Sequence, residues 1–238
     1  MKSNLLALIE RQVSQFRQMV GLSDGEAVNL KSLLLKLNVL TIFRPLSEKF
    51  SGMSLKSPGE ERFMLINSKH PRCRQHFTIA HELYHLFIEQ NPKPHNSAVD
   101  GSKSESEQCA DAFAQIFLMP YVGVLQLIPD EELKGKKISL ATVIRMEHYF
   151  SVSRQAIINR LFDLRFISRQ DREKLLSYAV IRTAREYGYD TALYQPGNEN
   201  LVIGNFGEKA RRLYDEERIS EGHYRELLSK IGIHDEEN

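Results

Sequence analysis

An α+β fold that is mainly helical, with a small antiparallel sheet and then a helix-turn-helix-like helical region, is what this 238-residue chain predicts. Three observations carry that prediction. Apolar residues recur at helical spacing over most of the length. Three short β-prone runs sit close together, "VLTIFRPL", "SGMSLKS" and "ERFMLINS". Residues 139–168 keep helical periodicity on both sides of a short break.

Taken in order, Leu5, Ile9, Val13, Phe16 and Val20 predict a first helix, and Ser23 with Glu26 forms a capping-box pattern before a second in "AVNLKSLLLKLN". The β-prone runs follow, separated by turn formers at Ser51-Gly52 and Pro58-Gly59, and predict an antiparallel meander. Pro71 suits a first helical turn, so a helix should run from there until "NPKP" stops it. After the polar loop "HNSAVDGSKSES", a helix over Glu105–Met119 ends at Pro120, and "YVGVLQLI" and "DEELKGKKIS" read as a short helix and a charged connector. Ser151-Val152-Ser153 breaks the 139–168 segment, one helix is expected over Arg169–Tyr187, and a helical pair precedes the acidic end "HDEEN". The divisions expected are residues 1–128, 129–190 and 191–238, the last a helical tail.

Composition narrows the class. Hydrophobic residues make up 42 % and charged residues 26 %, ordinary globular values that exclude wholesale disorder and fibrous folds. Basic and acidic residues nearly cancel, at 32 against 31, so the whole-chain field argues for neither nucleic acid nor a membrane surface. No apolar stretch approaches the roughly 20 residues that span a bilayer, and Glu10 and Arg11 interrupt the opening segment before a signal-peptide core forms. Cys73 and Cys109 make neither a disulfide framework nor a CxxC pair. A soluble, cytoplasmic protein is expected.

Chemistry concentrates in "HFTIAHELYHLFIEQ". Residues four apart share a helix face, so His81 and His85 can direct both imidazoles at one ion, and Glu82, about 100° round the helix, can reach a water on that ion. Ala80, Leu83, Tyr84, Phe87 and Ile88 supply an apolar stripe to bury the opposite face. Two histidines do not make a catalytic site; a third protein ligand is needed. "ESEQCADAFAQIFLMP" offers Glu107 and Asp111 on one face, Glu107 as third ligand and Asp111 as acceptor for an imidazole N–H. Glu105 is the rival ligand, and a solvated helix start is the alternative for Glu107 and Asp111.

"RFMLINSKHPRCRQHFTIAHELYHLFIE", then "ESEQCADAFAQIFLMP" and "FSVSRQAIINRLFDL", together resemble the ImmA/IrrE family of zinc-dependent metallo-endopeptidases over roughly residues 60–165. The resemblance implies a zincin-like peptidase domain in residues 1–128, with His81, His85 and Glu107 as metal ligands and Glu82 as general base. It implies Zn2+ as cofactor, with Mn2+ accommodated by the same donors. As substrate it implies a helix-turn-helix repressor of the Xre type, whose cleavage relieves repression. Tyr84 departs from the pattern, since many relatives carry Gly there; inward packing is the favoured role for its ring. His148 and Tyr84 are candidate oxyanion donors, and the strand "FMLIN" a candidate to pair with extended substrate.

A rival function uses residues 139–168 to bind DNA, or the metal to sense without proteolysis. Residues 151–176 hold six basic side chains, Arg154, Arg160, Arg165, Arg169, Arg172 and Lys174, against three acidic ones. Such a helix could place them on phosphates. "QAIINRLFDL", however, spends its apolar residues on its own core and leaves few polar groups for base edges.

Overall fold

The computed structural model describes residues 3–59, 61–89, 104–135 and 137–233. Helix α1 (Ser3–Met19) buries Ile9, Val13 and Phe16, and α2 (Leu30–Lys36) buries Leu30, Leu33 and Leu34. The capping-box pair does not start α2. Ser23 and Glu26 close a turn between the helices, and Asn29 caps α2 by accepting from Ser32 N. Arg17 explains the difference: its buried guanidinium donates to the carbonyls of Ser23, Glu26 and Phe117, which holds 20–29 out of a helix.

The fold class is α+β and mainly helical, but the sheet is mixed where an antiparallel one was expected. Strands β1 (Val39–Arg44), β2 (Gly52–Lys56), β3 (Arg62–Asn67) and β4 (Val202–Ile203) lie in the order β2-β3-β1-β4. β3 pairs antiparallel with β2 and parallel with β1, and β4 pairs antiparallel with β1. Burial decides this order. β2 carries exposed Leu55 and Lys56 and belongs at an edge, whereas β3 buries Met64, Ile66 and Asn67 and belongs inside. Asn67 makes the crossover, its amide donating to the carbonyls of Ser47 and Phe50 and its oxygen accepting from Leu46 N. No periodicity announced β4, which comes from the expected helical tail.

Helix α3 (Arg72–Phe87) lies on the sheet, and α4 (Glu105–Leu118) packs against it. His81 meets Asp111 and His85 meets Glu107, so the two helices run antiparallel. Phe113 and Phe117 stack on each other and meet Phe16 of α1 edge-on, which forms the centre of the core. Then come α5 (Tyr121–Gln126), α6 (Asp130–Gly135), where a connector was expected, α7 (Leu140–Phe150) and α8 (Arg154–Asp163). Ser151, in the left-handed region at φ 55°, makes the turn between α7 and α8. The single helix expected over 169–187 is two, α9 (Arg169–Ser177) and α10 (Val180–Glu186), because Tyr178 and Ala179 are extended. Residues 192–194 form a 3-10 turn, and α11 (Phe206–Asp215) and α12 (Glu221–Lys230) form the helical pair. The loop at 90–103 and the acidic end at 234–238 lie outside the described residues. Among the described residues no helix is long and apolar enough to cross a membrane.

Candidate metal centre

Helical spacing places His81 and His85 one above the other on α3, buried to 5 % and 2 % exposure. α4 approaches with Glu107 from its first turn, where Ser104 caps the helix by accepting from Glu107 N. His81 Nε2 and His85 Nε2 lie 3.3 Å apart. Glu107 Oε2 lies 3.3 Å from His81 Nε2, and Glu107 Oε1 lies 3.5 Å from His85 Nε2. Each imidazole nitrogen thus has the other nitrogen and one oxygen of Glu107, a different oxygen for each, at a spacing near the roughly 3.3–3.4 Å that separates ligand atoms held about 2.0–2.1 Å from one small divalent ion. Among the described residues they are the group that meets as a metal-binding cluster. Glu105 is exposed and stands outside it.

Both imidazoles are anchored from behind. His81 Nδ1 donates to Asp111 Oδ1 at 3.0 Å, and His85 Nδ1 donates to Glu89 Oε2 at 2.8 Å. Ser106 donates to the other Glu89 oxygen at 2.5 Å. These carboxylates set the tautomers and turn both Nε2 lone pairs inward. Two acceptors facing each other beside a carboxylate call for a cation. Burial by itself lowers the pKa of His81, but its hydrogen bonds to Asp111 and Glu107 and the charge of Glu82 outweigh it and raise it to about 9. Without a metal, a proton takes the cation's place. The residues thus fit a divalent ion in geometry and in charge.

Glu82 is fully buried, and the Ser54 hydroxyl of β2 donates to its Oε2 at 2.7 Å. Gly52 permits that contact. A Cβ at Gly52 would fall 2.6 Å from Thr78 Cγ2 and 2.9 Å from the Leu65 carbonyl, so only glycine lets β2 come this close to α3. Ser54 and Glu89 escaped the sequence reading. Glu89 had a signal, standing four residues beyond His85; Ser54 had none, since only the fold brings β2 to the motif helix.

Tyr84 packs inward at 8 % exposure, its ring edge-on to His85 and tilted against Phe113. His148 lies elsewhere. Its ring stacks on Tyr189, and its Nε2 is 3.1 Å from the Tyr194 hydroxyl, which donates to the buried Glu147 carboxylate. Arg154 pairs with the same carboxylate and reaches Thr183. The structure therefore gathers His81, Glu82, His85, Glu107 and Asp111, and leaves His148 in a separate network. Strand β3, proposed to receive substrate, has both edges occupied by β2 and β1; the outer edge belongs to β2.

No curated protein matches the chain. The family profile of the IrrE N-terminal-like domain matches residues 35–162, more than half of the 238 residues and inclusive of β1, β3, α3, α4 and all but the last residue of α8. The chain belongs to this IrrE-type peptidase family, and a metallopeptidase built around a metal ion is what its fold and His-His-Glu cluster constitute.

Proposed function

We propose that this protein is a cytoplasmic zinc endopeptidase that cleaves an Xre-type helix-turn-helix repressor and so relieves repression. The observation that carries the hydrolytic part is the convergence of His81 Nε2, His85 Nε2 and Glu107 beside the buried Glu82 carboxylate. Zn2+ is the ion proposed because two imidazoles and one carboxylate are a donor set usual for catalytic zinc, and Mn2+ suits the same donors. Bound there, it would polarise the scissile carbonyl and acidify the attacking water.

The chain's own groups do the rest. Glu82, steadied by Ser54 through one oxygen, takes the proton of the attacking water as its oxygen bonds to the carbonyl carbon, then delivers that proton to the departing nitrogen as the C–N bond breaks. Asp111 and Glu89 keep the imidazoles oriented throughout. The outer edge of β2 offers backbone groups to an extended substrate alongside Glu82, a place the sequence assigned to β3. The repressor as substrate rests on the family resemblance, and residues 129–190 are proposed to complete and serve the peptidase.

DNA binding has less support. Arg154 is buried against Glu147, and Arg160 is buried and donates to the Met119 carbonyl, so two of the six basic residues are withheld from phosphates. Arg172 donates to Asn159, and Arg169 pairs with Glu173. The test is metal content by mass spectrometry beside peptidase activity. Glu107→Ala is expected to lose the metal, and Glu82→Gln to keep it and lose cleavage; a Glu82→Gln protein that still cleaves would overturn the assignment.

A further inference from the structure

A cleft of about 730 Å³ adjoins the metal centre. It opens along the seam of α3 and α4 and is closed on its far side by the turn into α8 and that helix's first turns. Phe77 lies one turn before His81 on α3, and Ala112 lies next to Asp111 on α4; across from them stand Val152 and Ala156. Two features tie this cleft to the catalytic groups. Asp111 lines it while bonding His81, and Arg74 lines it while bonding Ser51 at the entrance to β2. The cleft thus lies next to the residue that anchors His81 on one side and, through Arg74, next to the segment that enters β2 on the other.

Its chemistry selects an occupant. The charged groups of its wall are engaged, Arg74 with Ser51 and Asp111 with His81, and the remaining polar groups are neutral amides and a serine. Alanines where larger side chains would fill the space leave it open, and burial pushes the Cys73 thiol in its wall up to about 11, so it stays uncharged. The volume lies inside the roughly 300–1,000 Å³ of ligand pockets and exceeds what one side chain needs.

Resting on the peptidase reading, we propose that this cleft is the specificity pocket for a large apolar side chain of the substrate polypeptide next to the scissile bond, with Phe77, Ala112 and Ala156 as the selecting residues. The first turns of α8, which in a DNA-binding helix-turn-helix would face the major groove, here form a wall of the peptidase.

The zinc-loaded full chain is offered a library of proteome-derived peptides, with products read by mass spectrometry. Cleavage is expected to concentrate at bonds flanked by Leu, Met or Phe. Ala156→Phe, which fills the cleft, is expected to lower kcat/KM for the best such peptide at least tenfold at unchanged metal content. On a Glu82→Gln background, which binds without turnover, the same change is expected to weaken that peptide's affinity at least fivefold by fluorescence anisotropy. Gln155→Lys, an exposed change at the rim, is expected to reduce the apolar preference at least threefold, and it decides the matter if Ala156→Phe does not fold. Cleavage without preference, or folded and metal-loaded variants with unchanged kcat/KM and affinity, overturns the pocket and leaves the peptidase standing. Dissociation of an oligomer by Ala156→Phe reassigns the cleft to a second copy and overturns it as well. A metal-loaded wild type that cleaves no peptide overturns both.

Discussion

Two imidazole nitrogens held 3.3 Å apart with a carboxylate beside each are costly without a cation, and four acidic side chains around them, Glu82, Glu89, Glu107 and Asp111, add to the cost. That arrangement makes the orienting carboxylates testable one by one. Asp111→Ala and Glu89→Ala each free one imidazole from its anchor and are expected to weaken metal affinity about 10- to 100-fold, measured by competition with a chelating dye. Ser54→Ala acts differently, because it touches Glu82 and none of the ligands. With a hydrogen bond to a charged group worth about 1.5–3 kcal/mol, it is expected to lower kcat about 10- to 100-fold at unchanged metal content. Equal loss of metal and activity in Ser54→Ala would refute its part in holding Glu82.

Elements, in turn, hold these residues at a distance set by backbone contact. The approach of β2 to α3 depends on Gly52, and Gly52→Ala is expected to cost about 1–3 kcal/mol in chemical denaturation by forcing the strand off Thr78. Activity should fall more than stability predicts, because Ser54 moves with the strand. Helices α7 and α8 are joined by the Glu147–Arg154 pair, both residues buried, with Tyr194 and Thr183 completing the network from the following segments. Arg154→Ala leaves a buried carboxylate without its cation and is expected to destabilise by about 3–5 kcal/mol, whereas replacing both partners by apolar residues should cost much less. Glu147 already has its pKa raised, by burial first, against the lowering effects of Tyr194 and Arg154.

At the scale of the molecule, contacts cross every division the sequence suggested. Arg160 reaches the Met119 carbonyl, Gln75 bonds the Gly197 carbonyl and Asn198, and β4 closes the sheet on β1. One cooperative unfolding transition is expected, coincident by near- and far-ultraviolet circular dichroism; two separated transitions would show independent units. Two buried or half-buried histidines away from the metal centre give it a pH dependence. Burial lowers the pKa of His70, whose ring meets the Glu48 carbonyl, and of His76, whose ring meets the Ser151 carbonyl. Their contribution is fully present above the unfolded value near 6.5 and is lost as pH falls toward the folded values, since the unfolded chain binds the protons first. Stability is expected to drop between pH 7 and pH 5.5, and His70→Gln with His76→Gln should flatten that slope.

By itself the sequence determined what local periodicity controls. Four-residue spacing on a helix dictates that His81 and His85 share a face, and the paired placement of Glu107 and Asp111 on α4 dictates that both can reach it. β-prone runs between turn formers marked β1 to β3, and helical apolar spacing marked α3, α4, α7 and α8. Only the tertiary structure decided the rest, and in each case the cause is non-local. The parallel pairing of β1 with β3 follows from the exposed edge of β2 and the crossover held by Asn67, 17 to 20 residues from its partner carbonyls. β4 exists because a segment about 160 residues downstream reaches β1. Ser54 meets Glu82, 28 residues away, and α8 walls a cleft beside Asp111, because core packing, not spacing along the chain, brought those surfaces together.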